Sequence, residues 1–177
     1  FPADLVVVGV GVVPNVELAR DAGIACDNGI LVDEYCHTSE PRVFAAGDCT
    51  NHPSLRYGRR VRLESVDNAF EQARTAASNI AGKATPHDKV PWFWSDQYDL
   101  KLLIVGLSQG YDSTVVRGDP ASRAFSVSYL RGGELIALDA INTPKDYMAA
   151  RKLIVERARP DPVRLADPGT SLKDTCV

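Results

Sequence analysis

Gly47-Asp48 is the dipeptide in this chain best suited to meet a ligand. It follows Arg42-Val43-Phe44-Ala45-Ala46, a short apolar run bounded by Pro41 and Gly47, and that pattern predicts a buried strand of a parallel sheet. Ligands of such sheets lie outside the carboxyl ends of the strands, where Asp48 falls. Gly47 lets a ligand come close to the backbone, and the Asp48 carboxylate accepts hydrogen bonds from sugar or polyol hydroxyls. Taken alone, the pair reads equally well as an ordinary turn after a strand.

Three further groupings carry chemical potential. Ser65-Val66-Asp67 precedes a helical segment, whose first N–H groups and positive dipole end face outward. The plain alternative is a surface helix capped by Ser65 or Asp67. Trp92 and Trp94 flank Phe93, so in a strand both indoles share one face while Phe93 takes the other. Core anchoring is the commoner fate of such rings. Arg56, Arg59, Arg60, Arg62 and Arg74 form a basic stretch in an acidic chain, suited either to solvent or to an acidic partner. Cys49-x-x-His52 and Cys36-His37 lack the further neighbours that zinc requires, so no metal site is expected. No side chain reads as a nucleophile or general base, and no catalytic residue is assigned.

The elements that must position these groups change in kind along the chain. Leu5 to Val8 predicts a buried strand, and Val16 to Ala22 a helix with Asn15 as cap and Gly23 past its end. Strands are expected at 29–33, after the Asp27-Asn28-Gly29 turn, and at 43–46. Residues 50–60 read as a polar loop. A helix is predicted from Asp67 to Ile80, with Ala69, Ala73, Ala76, Ala77 and Ile80 as a narrow apolar face and Gly82 as its stop. The stretch from Gly82 to Lys89 is the best boundary, separating domains at 1–85 and 90–177. Beyond it Leu102–Leu107, Ser113–Arg117, Ala124–Leu130 and Glu134–Asn142 predict antiparallel strands, with a tight hairpin at Arg131-Gly132-Gly133. Pro144 opens a helix to about Arg157, apolar at Met148, Leu153 and Ile154. The tail from Pro160 is expected to run extended over the surface.

Composition removes several functions. A net charge of −3 over 177 residues and a pI near 5.6 give nucleic-acid binding no electrostatic support. No apolar run approaches the ~20 residues that span a bilayer. The apolar start lacks a basic flank and is interrupted by Asp4, so no signal peptide is expected. Cys26, Cys36, Cys49 and Cys176 form no Cys-x-x-Cys pair, which fits a reducing cytoplasm.

Several blocks carry a family resemblance over nearly the whole chain. Ala3 to Asn15 resembles the strand and turn by which FAD-dependent pyridine-nucleotide reductases return from the NAD domain to the FAD domain. Arg42 to Cys49 resembles their second FAD motif. Arg62-Leu63-Glu64-Ser65-Val66-Asp67-Asn68-Ala69-Phe70-Glu71-Gln72-Ala73-Arg74 and Pro91-Trp92-Phe93-Trp94-Ser95-Asp96-Gln97-Tyr98 are similar to the ferredoxin reductases that serve cytochromes P450 and Rieske oxygenases. The resemblance implies the end of an FAD-binding Rossmann-like α/β domain, followed by an antiparallel-sheet (α+β) reductase C-terminal domain.

It further implies FAD held by Gly47 and Asp48 at the ribityl chain, by the Val66 backbone at the ring O2 and by Trp94 beside the isoalloxazine. NADH is the implied electron donor, and a [2Fe-2S] ferredoxin the acceptor, docked in part by Arg74 and Lys173. Many relatives carry Pro where Asp67 stands. The dinucleotide fingerprints Gly-x-Gly-x-x-Gly are missing, since Gly9-Val10-Gly11 is followed by Val12, Val13 and Pro14. With the start at Phe1, this implies the C-terminal part of a larger enzyme, with the missing N-terminal part as its first partner. The alternatives are a flavin-free folding or association module, or a parent related to apoptosis-inducing factor or to a nitrite-reductase subunit.

Overall fold

The computed structural model describes residues 1–176. The chain divides into two compact units, Phe1–His87 and the residues from Asp88 onward.

The first unit runs α1 (Glu17–Asp21), β1 (Ile30–Leu31), β2 (Thr50–Ser54), β3 (Arg59–Val61) and α2 (Val66–Ile80). β1 pairs parallel with β2, Ile30 opposite Thr50, and β2 pairs antiparallel with β3, His52 opposite Val61. The turn before β1 needs its glycine: Gly29 has φ 120°, and a Cβ there would lie 2.9 Å from the Cys49 carbonyl oxygen.

Five expectations fail in this unit or need correction. Leu5–Val8 pairs with no strand among the described residues, and its side chains are 72–87 % exposed. An apolar run becomes a buried strand only where a neighbour supplies its ladder and covers its faces. Residues 43–46 likewise form no parallel strand. Their backbone is held antiparallel to 36–38, through Ala45 N–H to the Cys36 carbonyl (3.2 Å) and Thr38 N–H to the Val43 carbonyl (3.0 Å). Residues 50–60 are a hairpin rather than a loop. α1 is shorter than the pattern suggested, starting after Val16 with no side-chain cap from Asn15.

α2 is turned over. Its buried residues are Asn68, Gln72, Thr75 and Ala76, while Val66, Phe70 and Ile80 are each more than 60 % exposed. With Ala73 and Ala77 these make an outward apolar stripe at helical spacing.

The second unit is a five-stranded antiparallel sheet in the order β4 (Trp92–Gln97), β5 (Leu100–Gly106), β8 (Glu134–Ile141), β7 (Ala124–Arg131), β6 (Ser113–Asp119). β7 and β8 meet through the two-residue turn Gly132-Gly133, both at positive φ, which matches the twist of a hairpin. α3 (Pro144–Val155) covers one face. Val105, Leu130, Leu135, Leu138, Ala150, Leu153 and Ile154 form the core with Leu165 and Leu172.

Two details differ from expectation. Met148 is exposed, its place in the apolar face being taken by Tyr147 and Ala150. The tail is anchored rather than loosely extended: α4 (Pro162–Ala166) and a 3-10 turn (Leu172–Asp174) bury Leu165 and Leu172. Arg117 ties the tail down from β6. Its guanidinium donates to the carbonyls of Leu165, Asp167, Pro168 and Thr170 and pairs with Asp146.

The architecture is therefore the expected pairing of an α/β segment with an antiparallel-sheet domain. No helix among the described residues is long and apolar enough to cross a membrane.

Candidate functional site

The Gly47–Thr50 turn stands at the entrance to β2. Gly47 adopts φ 89°, in the left-handed region that favours glycine. A Cβ built on Gly47 would lie 3.6 Å from the Ala69 Cβ, so the turn packs against the first turns of α2. Asp48 is exposed, and its carboxylate has no hydrogen-bond partner among the described residues. Arg62 reaches the Asp48 carbonyl (3.3 Å) and the Asn28 side chain (3.2 Å), and pairs with Glu64.

The N-terminus of α2 is closed by Ser65. Its Oγ accepts the Asn68 N–H at 3.1 Å from an extended backbone, φ −155°, which is the geometry of an N-cap. This chooses Ser65 over Asp67 as cap. Among the described residues the Val66 N–H has no hydrogen-bond partner, since the first N–H groups of a helix lack intrahelical acceptors and only that of Asn68 is taken by the cap. The exposed Asp48 carboxylate thus stands on a turn whose buried Gly47 packs against Ala69 of α2, the helix that starts at Val66.

What holds that surface is a polar core that sequence reading did not find. Gln72 is fully buried, and its Oε1 accepts the Gly47 N–H at 2.7 Å. Thr50 Oγ1 lies 2.7 Å from that oxygen and 2.8 Å from the Gly47 carbonyl, its single hydrogen serving one at a time. The carboxamide orientation follows from this, because only its oxygen can face the Gly47 donor. Gln72 Nε2 therefore donates to His52 Nδ1 at 2.8 Å. His52 must be neutral with its proton on Nε2. Burial, the neighbouring His87 and Arg60 agree with that, pushing its pKa down to about 4.

On the same side the Cys36 thiol donates to the Gln72 carbonyl at 3.7 Å. Burial and Asp33 push that thiol up to about 11, which keeps it protonated and unreactive. The available signal was the polar spacing Asn68, Gln72, Thr75 along α2, equal in period to the apolar stripe on its other side.

Trp94 lies in the second unit, on the edge strand β4, 37 % exposed. Its ring stacks on Trp92 at 5.5 Å and 29°. Trp92 packs against the core, with the Arg151 guanidinium over its ring at 5.8 Å. Arg74 is exposed on α2, above the Phe70 ring at 5.8 Å and 3.3 Å from Glu71. Lys173 lines a cleft of about 700 Å³ in the second unit, with Lys145, Lys152 and Met148. Among the described residues no group of three or more His, Cys, Asp or Glu could hold a metal ion.

Comparison with known proteins gives a consistent result. A family model described as pyridine nucleotide-disulphide oxidoreductase matches residues 1–73, and one described as reductase C-terminal matches residues 92–176. A 5,5'-dehydrodivanillate O-demethylase ferredoxin reductase subunit of Sphingobium sp. is 54% identical over 175 residues, covering 98% of this chain and 42% of that protein. Putidaredoxin reductase of Pseudomonas putida is 46% identical over 174 residues, covering 98% of this chain and 41% of its own length. Among solved structures, that of the covalent putidaredoxin reductase–putidaredoxin complex superposes with a TM-score of 0.92 at 46% identity, over 98% of this chain and 42% of that chain. The chain thus spans about two fifths of these relatives, 41–42% of their length.

Proposed function

Since this chain belongs to the FAD-dependent ferredoxin reductases of the pyridine nucleotide-disulphide oxidoreductase family, we propose that it is the C-terminal part of an enzyme carrying electrons from NADH, through FAD, to a [2Fe-2S] ferredoxin of a P450 or Rieske oxygenase system. The observation that carries this reading is the unpartnered Asp48 carboxylate beside the open start of α2. That donor and acceptor set suits a flavin. The carboxylate would accept hydrogen bonds from ribityl hydroxyls, Gly47 would allow close approach, and the Val66 N–H would be the donor for an electron-rich ring oxygen. When bound, FAD supplies the exchange between a two-electron donor and a one-electron acceptor.

The protein's own residues position and tune. Asp48 fixes the polyol without touching the redox ring. The helix start at Val66 favours negative charge on the ring, so it favours the reduced form. Asp67, in the same turn, opposes it by adding an anion. Trp94 presents an exposed aromatic face on an edge strand, suited to cover a flavin from water. The missing N-terminal part of the enzyme is its necessary partner: the apolar stripe of α2 and the exposed 5–13 run offer it surfaces to cover. The isolated chain is accordingly read as a weak flavin binder. Four free cysteines fit a reducing cytoplasm.

Arg74 and Lys173 are read as docking cations for an acidic ferredoxin. The Arg74–Glu71 pair is exposed and of little energetic weight, so Arg74 can exchange Glu71 for a partner carboxylate. Lys173 sits with Lys145 and Lys152 on a basic cleft. The test is the ratio of ferredoxin to ferricyanide turnover with NADH, in the full-length enzyme carrying Arg74→Ala or Lys173→Ala. Ferredoxin reduction is expected to fall and to lose salt dependence. Ferricyanide reduction, which needs no shaped surface, is expected to hold. An equal fall in both sinks the docking role.

A further inference from the structure

We propose that Gln72 is the positioning residue of the flavin site, acting through the Gly47–Thr50 turn to present Asp48. This rests on the reading of Asp48 as the ribityl ligand. Asp48 itself cannot hold its place, because it is exposed and its side chain has no hydrogen-bond partner among the described residues. The turn before it is fixed from behind. The Gly47 N–H is buried, and its acceptor is Gln72 Oε1 at 2.7 Å. The same oxygen stands 2.7 Å from Thr50 Oγ1, at the other end of the turn. One atom therefore gathers both ends of the segment that carries Asp48.

Gln72 is itself held at both ends of its carboxamide. Its amide nitrogen donates to the neutral His52 at 2.8 Å, on β2. Asn68 Nδ2, one helical turn earlier, is 3.4 Å from Oε1 and also donates to the Leu63 carbonyl at 3.0 Å. A carboxamide is required here by its two-sided chemistry. It must accept from Gly47 and donate to His52, and it must do so without a charge in a buried site. Because α2 also carries the open N–H of Val66, one helix sets the spacing between both parts of the flavin surface. A site on a rigid helix with a buried support holds its ligand groups more closely than a free turn can.

The experiment is titration of apoenzyme with FAD, followed by flavin fluorescence, in the full-length enzyme with single and combined variants. Asp48→Ala alone is expected to weaken FAD roughly ten- to a hundred-fold. Gln72→Leu, similar in volume but without the acceptor, is expected to weaken it about ten-fold or more. The combined variant is expected to bind no more weakly than Asp48→Ala, since a misplaced group that is already gone cannot be misplaced further. Gln72→Glu keeps the acceptor for Gly47 and, only while its carboxyl is protonated, a donor for His52, so it is expected to hold most of the affinity at mildly acid pH and to lose it as the carboxyl ionises. Losses that multiply in the combined variant, or a Gln72→Leu enzyme of unchanged FAD affinity and lowered thermal midpoint, overturn the positioning role. Should Gln72→Leu not fold, Thr50→Val probes the same turn: a loss absorbed by Asp48→Ala supports the role, and a multiplying or absent one overturns it. An Asp48→Ala enzyme of unchanged FAD affinity removes the ribityl reading itself, a result distinct from a neutral Gln72.

Discussion

The two units differ in what fills the interior beside their main helix: α3 lies on an apolar cluster, α2 on a polar one. In the second, antiparallel strands and α3 enclose Leu130, Leu135, Leu138 and Ile154, each nearly or wholly inaccessible to water. In the first, Gln72, Thr50, Asn68 and His52 are buried while Phe70, Ile80 and the Leu5–Val13 run face out. Both units remove apolar surface from water, the first through Val32, Tyr57 and Val61 among others, but the first must also satisfy a buried polar cluster under α2. The lesson is that burial follows from available partners rather than from residue type. Hairpins bring their partners along in sequence, so the second unit closes on itself. A sheet built by parallel pairing takes its partners from distant sequence, so the first unit leaves apolar faces uncovered.

That contrast can be broken by experiment. Leu138→Ala or Ile154→Ala, each opening a cavity in a closed apolar core, is expected to cost about 2–5 kcal/mol. Both tryptophans belong to the second unit, so urea unfolding followed by tryptophan fluorescence reads that unit directly. A loss below about 1 kcal/mol places these residues outside a closed core.

Acid is expected to act on the first unit at a somewhat smaller scale. All three histidines lie there, and His52 carries the depressed pKa of about 4 against an ordinary 6.5. Protonation therefore favours the unfolded form. The His52 contribution is complete above about pH 6.5 and is lost as pH falls towards 4, amounting to roughly 3 kcal/mol at the limit. Hydrogen exchange of the α2 amides between pH 7 and 4.5 measures it, with His52→Gln as the variant expected to flatten the profile. A profile unchanged by that variant removes His52 from the balance.

The smallest effect sharpens the comparison most. Phe70→Ser, on the outward stripe of α2, is expected to change the stability of this chain by no more than about 0.5 kcal/mol. In the full-length enzyme it is expected to cost more if the stripe is covered there, as proposed above. Thermal unfolding of the two proteins side by side checks this, and equal small effects would leave the stripe a solvent face.

Much of the second unit was legible in sequence. Gly132-Gly133 between two alternating runs specifies a hairpin, and Pro144 before an apolar spacing specifies a helix start, since both depend on local backbone preference. The tail was not legible: Leu165 and Leu172 are buried because Arg117, some fifty positions earlier, supplies donors for the carbonyls of that segment. In the site, Gly47, Asp48 and Val66 could be chosen by type and by resemblance, while Gln72 could not.

The sequence by itself determined that a helix runs to Ile80 from a start near Asp67, capped by Ser65 or Asp67, because capping and helical period are properties of neighbours along the chain. The structure chose Ser65. The sequence also assigned α2 an apolar face, while the polar row Asn68, Gln72 and Thr75 on its other side went unread. Which stripe turns inward was decided only in the tertiary structure. The Gly47 N–H and His52 Nδ1 are buried against the helix, and leaving each unpaired would cost about 1–3 kcal/mol. Gln72 satisfies both, so the polar face goes in.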